Sequence, residues 1–219
     1  MKSKAKEQAG SGAAFTLIEL LAVMAIISLV AALVVSMAKY AAQTRIKTRV
    51  EADKRGKVAM IDSYYAKFGY YPPDNGLLAA APFAARDGLA ATNQLLYELT
   101  GVTNTNNSAN LIVYDINGYT NVSAADFGAV FNRGGVANAD AVEPHDFYQP
   151  GPAPKDCAPY FSNGKEVIYG LAVPAELVPG NTNNFWHYDS SSTNRRNMGS
   201  YDVWAEFKVG AQIFTNGNW

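Results

Sequence analysis

Hydrophobic and polar positions divide the chain into three regimes. From Phe15 to Ala38 it reads FTLIELLAVMAIISLVAALVVSMA, without Pro, Gly, Lys or Arg. Leu20 to Val35 is interrupted by Ser28 alone. About 20 apolar residues cover ~30 Å of hydrocarbon at about 1.5 Å per residue, so this run predicts a membrane-spanning helix. From Lys39 to Phe68 the pattern changes. Ile46, Val50, Val58, Ile61, Tyr65 and Phe68 recur at helical spacing, and the charged residues fall largely between them. That predicts an amphipathic continuation of the same helix. Phe15 to Phe68 would measure roughly 80 Å. Its first half is apolar all round, and its second half needs a folded body to cover the stripe. No heptad is sustained, which argues against a free coiled coil.

The third regime is a patchwork of short elements. Gly69 supplies a C-cap and Pro72-Pro73 forbid further helix. Leu77 to Leu89 is Ala-rich and fits no single pattern. Thr92 to Gly101 predicts a short helix with Thr92 as N-cap and Gly101 as stop. Leu111 to Ile116 predicts a strand that closes at the Asn117-Gly118 turn, and Lys165 to Val173 another, stopped by Pro174. Asn104 to Asn110 reads as a polar loop, and Ala137 to Pro159, rich in Pro and Asp, as a surface loop. Tyr201, Val203, Ala205, Phe207 and Val209 alternate with Asp202, Trp204, Glu206 and Lys208, the pattern of a half-buried strand. Gly210-Ala211 turns it, and Gln212 to Thr215 returns as its hairpin partner. The fold class is therefore α+β: a long N-terminal helix packed on a small C-terminal antiparallel β-sheet head. Three segments follow: a leader over 1–14, a transmembrane helix over 15–38, and a head over 39–219 that includes the second half of the long helix.

Glu19 breaks the apolar run. A charge inside a spanning helix costs on the order of 3 kcal/mol, so a carboxylate there calls for a partner. If the leader is cut after Ala14, the new amine at Phe15 lies four residues before Glu19. It carries a positive charge near neutral pH. Glu19 of one chain then meets the Phe15 amine of the same chain or of a neighbour in a dry filament core. A second reading is local. Thr16-Leu-Ile-Glu19 fits a capping box, with Thr16 as N-cap and Glu19 reaching back to its amide. The two roles are compatible. A secretory signal peptide would have a shorter apolar region, of about 7–15 residues, and a small-residue cut beyond it.

Phe-Thr-Leu-Ile-Glu-Leu-Leu ahead of an apolar helix resembles the class III signal of type IV pilin-like proteins, which include type IV pilins and type II secretion pseudopilins. The resemblance implies cleavage between Ala14 and Phe15 by a prepilin peptidase, methylation of the Phe15 amine, and a role for Glu19 in filament assembly. The family usually has Gly before the cut, where this chain has Ala14. Gly12 lies two residues earlier, but a cut there would misplace Glu19. The phrase Tyr64-Tyr-Ala-Lys-Phe-Gly-Tyr-Tyr-Pro, and the end Tyr-Asp-Val-Trp with terminal Asn-Trp, are similar to the major pseudopilin of type II secretion. That branch often binds calcium near its C-terminus through acidic residues. Lys208 to Trp219 holds no Asp or Glu, so no such site is expected there. Some relatives carry Gly and Pro breakers in the membrane helix. This chain has Ser28 and Ser36 in that region instead.

The implied function is a structural subunit of a type II secretion pseudopilus, assembled into a helical filament that aids export. It is single-pass in the inner membrane with its head in the periplasm. Partners implied are other copies of the chain, the prepilin peptidase, an inner-membrane assembly platform, a cytoplasmic assembly ATPase and membrane lipid. Two alternatives stay open: a minor or adhesive type IV pilin, and a membrane-tethered binding domain or enzyme.

Composition adds constraints. The chain has 219 residues and a net charge of −1, which becomes −3 without Lys2, Lys4, Lys6 and Glu7 of the leader. Neither value suggests a nucleic-acid partner. Lys39, Arg45, Lys47 and Arg49 follow the apolar run, and counting basic residues alone would place that side in the cytoplasm. Long domains translocate largely regardless of charge, and the resemblance places the leader in the cytoplasm. The lone Cys157 excludes an intrachain disulfide. Asp140, Glu143, His145, Asp146 and Asp156 offer oxygen and nitrogen donors, but their spacing matches no EF-hand, and a solvated loop is the plainer reading. No metal and no cofactor is expected. Phosphate-loop and nucleophile-elbow motifs are missing, and His145 and His187 share no metal spacing. His187 reads as a packed aromatic neighbour, Arg195-Arg196 as a solvated loop, and the sequons at Asn106 and Asn121 as chance. No enzymatic activity is expected.

Overall fold

The computed structural model describes residues 15–104, 109–133, 135–140, 144–162 and 167–219. The leader, the Asn106 sequon, Glu143 and Lys165 lie outside them. One helix, α1, runs Leu17–Phe68. Two compact units divide between Thr44 and Arg45.

In the first unit every described residue is exposed. Its backbone bonds close within the helix, which is what a chain in hydrocarbon requires. Its two serines are also satisfied locally. Ser28 Oγ donates to the Met24 carbonyl at 2.7 Å, and Ser36 Oγ to that of Leu33 at 2.8 Å. Neither serine therefore presents an unpaired hydroxyl on the apolar surface.

In the second unit α1 is covered. Val50, Lys57, Ile61 and Tyr64 are buried, and Ile46, Val58 and Phe68 pack half-buried against the same core. The stripe read from the sequence needs one correction. Tyr65 is 44% exposed and stacks on Tyr71 instead, with ring centroids 4.4 Å apart. Tyr64 takes the inward place, three residues after Ile61 and seven after Lys57, as the helical period directs. Gly69 ends α1 with φ +78° and donates its amide to the Tyr65 carbonyl at 2.8 Å.

The Ala-rich stretch forms two short 3-10 turns, Leu78–Ala80 and Phe83–Ala85, and then α2, Arg86–Ala91. α3 spans Leu95–Thr100. Thr92 is not its N-cap. It closes α2 through its amide to Leu89, and the side chain of Asn93 accepts from the Leu95 amide at 3.2 Å. Gly101 stops α3 at φ +78°, as expected.

The strands make three sheets. β1 (Val102–Asn104), β2 (Asn110–Asp115), β3 (Gly118–Ser123) and β4 (Ala139–Asp140) order as β3-β2-β1-β4. The β2–β3 hairpin turns at Ile116-Asn117, one residue earlier than expected, with Gly118 opening β3 opposite Asp115, and the short β1–β4 pair is parallel. α4, Ala124–Phe131, follows β3 with Ser123 as N-cap. β5 (Cys157–Ser162) and β6 (Val167–Leu171) form a two-stranded sheet. β4 and the start of β5 fall inside the stretch expected to be loop. β7 (His187–Asp189), β8 (Asp202–Val209) and β9 (Gln212–Gly217) form the third sheet. The fold is α+β, as the pattern predicts, with antiparallel pairing throughout apart from β1–β4.

β8 departs from strict alternation. Asp202 and Trp204, read as solvent-facing, are 0% and 2% exposed. The reason is α2, which covers that face. Leu78, Ala90 and Trp204 form a second small core, and the Arg86 guanidinium lies 4.5 Å from the Trp204 ring.

Candidate functional site at the start of the long helix

The first turn of α1 is built by Thr16 and Glu19. The Thr16 amide donates to Glu19 Oε2 at 2.9 Å and the Thr16 hydroxyl to the same oxygen at 2.8 Å. The Glu19 amide donates back to Thr16 Oγ1 at 3.3 Å. This is the reciprocal capping box that the spacing predicts, and it satisfies amides that would otherwise be orphaned at a helix start. Both bonds to the carboxylate use Oε2. Among the described residues nothing bonds Oε1, which leaves one oxygen for a further partner. Ala14 lies outside the described residues, and Phe15 is 81% exposed.

Around Glu19 the surface is apolar. Leu17, Ile18, Leu20 and Leu21 are each more than half exposed. The same continues through Met37, and none of the most apolar stretch is buried. Such a surface is far larger than the few hundred Å² that soluble proteins leave uncovered. It is long and apolar enough to span a membrane.

Elsewhere the residues singled out by sequence are occupied structurally. Asp146 accepts from the Tyr148 amide and from Gln149 Nε2, each at 2.8 Å. Asp156 accepts from the Ala153 amide at 3.2 Å. Among the described residues no three His, Cys, Asp or Glu gather as a metal set, and Glu143 lies outside them. His187 packs on Trp204 with ring centroids 5.0 Å apart, and burial pushes its pKa down to about 4. Arg196 lies 4.3 Å from the Trp219 ring, and Arg195 donates to the Ser190 carbonyl at 2.7 Å. Burial pushes the Cys157 thiol up to about 12, which leaves it a weak nucleophile.

Three buried polar clusters escaped the sequence reading. Arg86 bridges Asp189, at 3.0 Å, and Asp202. Lys57 pairs with Asp53 at 2.8 Å, and Asp53 also accepts from Trp186 Nε1 at 2.7 Å. Glu98, wholly buried, accepts from Gln94 Nε2, Tyr64 Oη and the amides of Ala137 and Asn138. Burial raises its pKa, and the four donors pull it back. Lys57–Asp53 and Gln94–Glu98 lie four residues apart, but the partners that bury them, and both aspartates of Arg86, are distant in sequence, so local spacing carries no trace of the burial. No family model, curated protein or solved structure matches the chain.

Proposed function

We propose that the chain is a structural subunit of a helical filament, anchored in the inner membrane by α1 with its head in the periplasm. The branch favoured is the type II secretion pseudopilus, on the strength of the helix-end and C-terminal phrases. In this reading the chain is cut between Ala14 and Phe15, and the Phe15 amine is methylated. Subunits stack by their apolar helices, and Glu19 Oε1 receives the Phe15 amine of a neighbour. The role is mechanical and not enzymatic. Burial of Leu, Ile and Val supplies the bulk of the cohesion, and the charge pair sets the register. A prepilin peptidase, an assembly platform and a cytoplasmic ATPase are its implied partners.

The observation that carries the proposal is the wholly exposed apolar run behind Phe15, broken by one carboxylate with an unspent oxygen. The deciding experiment is the N-terminus of the protein isolated from membranes, by intact mass and terminal peptide sequencing. A chain that starts at N-methylated Phe15 supports the proposal. A chain that still starts at Met1, or is cut after Ala38, overturns it in favour of an anchored or secreted domain.

A further inference from the structure

A cavity of about 780 Å³ opens beside the β2–β3 hairpin, far in sequence from the helix start. Its volume lies within the ~300–1,000 Å³ typical of ligand sites. Tyr114 and Tyr119 form one wall. They face each other across the hairpin, with ring centroids 4.9 Å apart, and Tyr119 is 76% exposed. An aromatic ring so open to water is held in place here by its partner, and Gly151 in turn backs Tyr114. Gly151 has φ +112°, and a Cβ there would come within 3.0 Å of the Tyr114 ring. The loop can therefore pass close behind Tyr114 only as glycine.

The remaining lining is rich in hydrogen-bonding groups. Thr103, His145, Asp146 and Gln149 reach the cavity. So does Thr100, whose residue is 3% exposed and whose Oγ1 has no hydrogen-bond partner among the described residues. A buried hydroxyl without a partner costs about 1–3 kcal/mol, but the atom itself is closed off from the cavity. Among the described residues no Lys or Arg lines the cavity, which disfavours phosphates and acidic ligands. The half-buried Asp146 carboxylate repels anions as well. Among the described residues the apolar lining beside the two tyrosine rings is Ile112 and two prolines, too little for a lipid chain. What remains is a neutral, polyhydroxylated ligand with flat C–H faces. Such a molecule stacks on tyrosine rings and exchanges hydrogen bonds with carboxylate, amide and hydroxyl groups.

We propose that this cavity is a binding site for a neutral saccharide, with Tyr119 as the stacking platform and Thr103, Asp146 and Gln149 as hydrogen-bonding partners. The site is independent of how the chain assembles. A positively charged amine is the rival occupant for two tyrosines and a carboxylate. A cation would leave the hydroxyl of Thr103 and the amide of Gln149 unused.

The test is a titration of the full-length chain, in lipid nanodiscs without glycosidic detergent. The probes are neutral tetrasaccharides of glucose, mannose, galactose and N-acetylglucosamine, with tetramethylammonium as the cationic probe. Calorimetry and saturation-transfer NMR give the readout. The expected result is a millimolar or tighter Kd for at least one saccharide. Tyr119→Ala, at an exposed position, should weaken it by about tenfold or more. Thr103→Val should weaken it too. Glu19→Gln should bind as the parent does. Binding of no saccharide at about 10 mM, equal binding by Tyr119→Ala, or preference for tetramethylammonium would each overturn the proposal.

Discussion

Glu19→Gln separates the two roles open to this side chain. The capping box uses Oε2 as acceptor from the Thr16 amide at 2.9 Å and hydroxyl at 2.8 Å, and a glutamine oxygen serves the same donors. The helix start should survive, with at most about 0.3–1 kcal/mol lost from the interaction of the charge with the helix dipole. Charge pairing in a filament core predicts a different scale. Removing one partner of a buried ion pair costs about 3–5 kcal/mol. At 1.4 kcal/mol per tenfold, each subunit addition weakens by about two to three and a half orders of magnitude. Insertion moves the other way, since a charge at this depth costs on the order of 3 kcal/mol and the amide costs less. The assay is the processed protein recovered as sheared filaments, normalised to the membrane pool. The variant should be processed, present in the membrane at normal or raised level, and depleted from filaments by more than about 100-fold. Full filament yield from Glu19→Gln, beside failure of Thr16→Ala, would refute the pairing and leave Glu19 as a cap.

Three further expectations concern the head. Arg86→Met leaves Asp189 and Asp202 buried without their cation, a loss of about 3–5 kcal/mol; thermal melts should fall on the order of 10 °C. Glu98→Gln puts an amide NH₂ among four donors, and urea titration should show a loss of about 1–3 kcal/mol, whereas Tyr64→Phe removes one donor and should cost about 1 kcal/mol. His187 is held neutral in the folded protein, with its pKa pushed down from 6.5 to about 4. The unfolded chain therefore takes up its proton first as pH falls. Stability should drop between about pH 6.5 and pH 4 by up to about 3 kcal/mol, and His187→Phe should flatten that slope in urea titrations.

How far the sequence discloses this fold depends on whether a residue's partner is local. The capping box is legible because Thr16 and Glu19 lie three residues apart. The end of α1 is legible because Gly69 and the prolines act on their own backbone. The β8–β9 hairpin is legible from alternation and Gly210, at φ +63°. The second buried face of β8 is not, because it depends on α2, and α2 comes from an Ala-rich stretch without periodicity. Lys57 is hidden for the same reason. On a helical wheel it reads as a polar break in the stripe, yet it is 1% exposed because Asp53 and Trp186 meet it there. The tyrosine-walled cavity draws on α3, β1, β2, β3 and the chain around Asp146, and no single stretch foreshadows it.

The covered half of α1 is held by more than its apolar stripe. Lys54 Nζ donates to Asn216 Oδ1 at 2.6 Å and to the Gly217 carbonyl at 2.8 Å, and Glu51 accepts from Asn216 Nδ2 at 2.9 Å. Lys47 lies 3.7 Å from the Phe214 ring centre, and Asp62 accepts from Tyr201 Oη at 3.1 Å. These contacts tie α1 at Lys47, Glu51, Lys54 and Asp62 to β9 and to the chain entering β8. Apolar burial is non-directional and tolerates sliding along a helix axis, whereas hydrogen bonds of fixed length do not. If the chain is the filament subunit proposed above, drawing it out of a membrane by its N-terminal helix would load that seam along the axis. The polar pins therefore address a need that the hydrophobic stripe alone leaves unmet: they fix the axial register between α1 and the C-terminal hairpin.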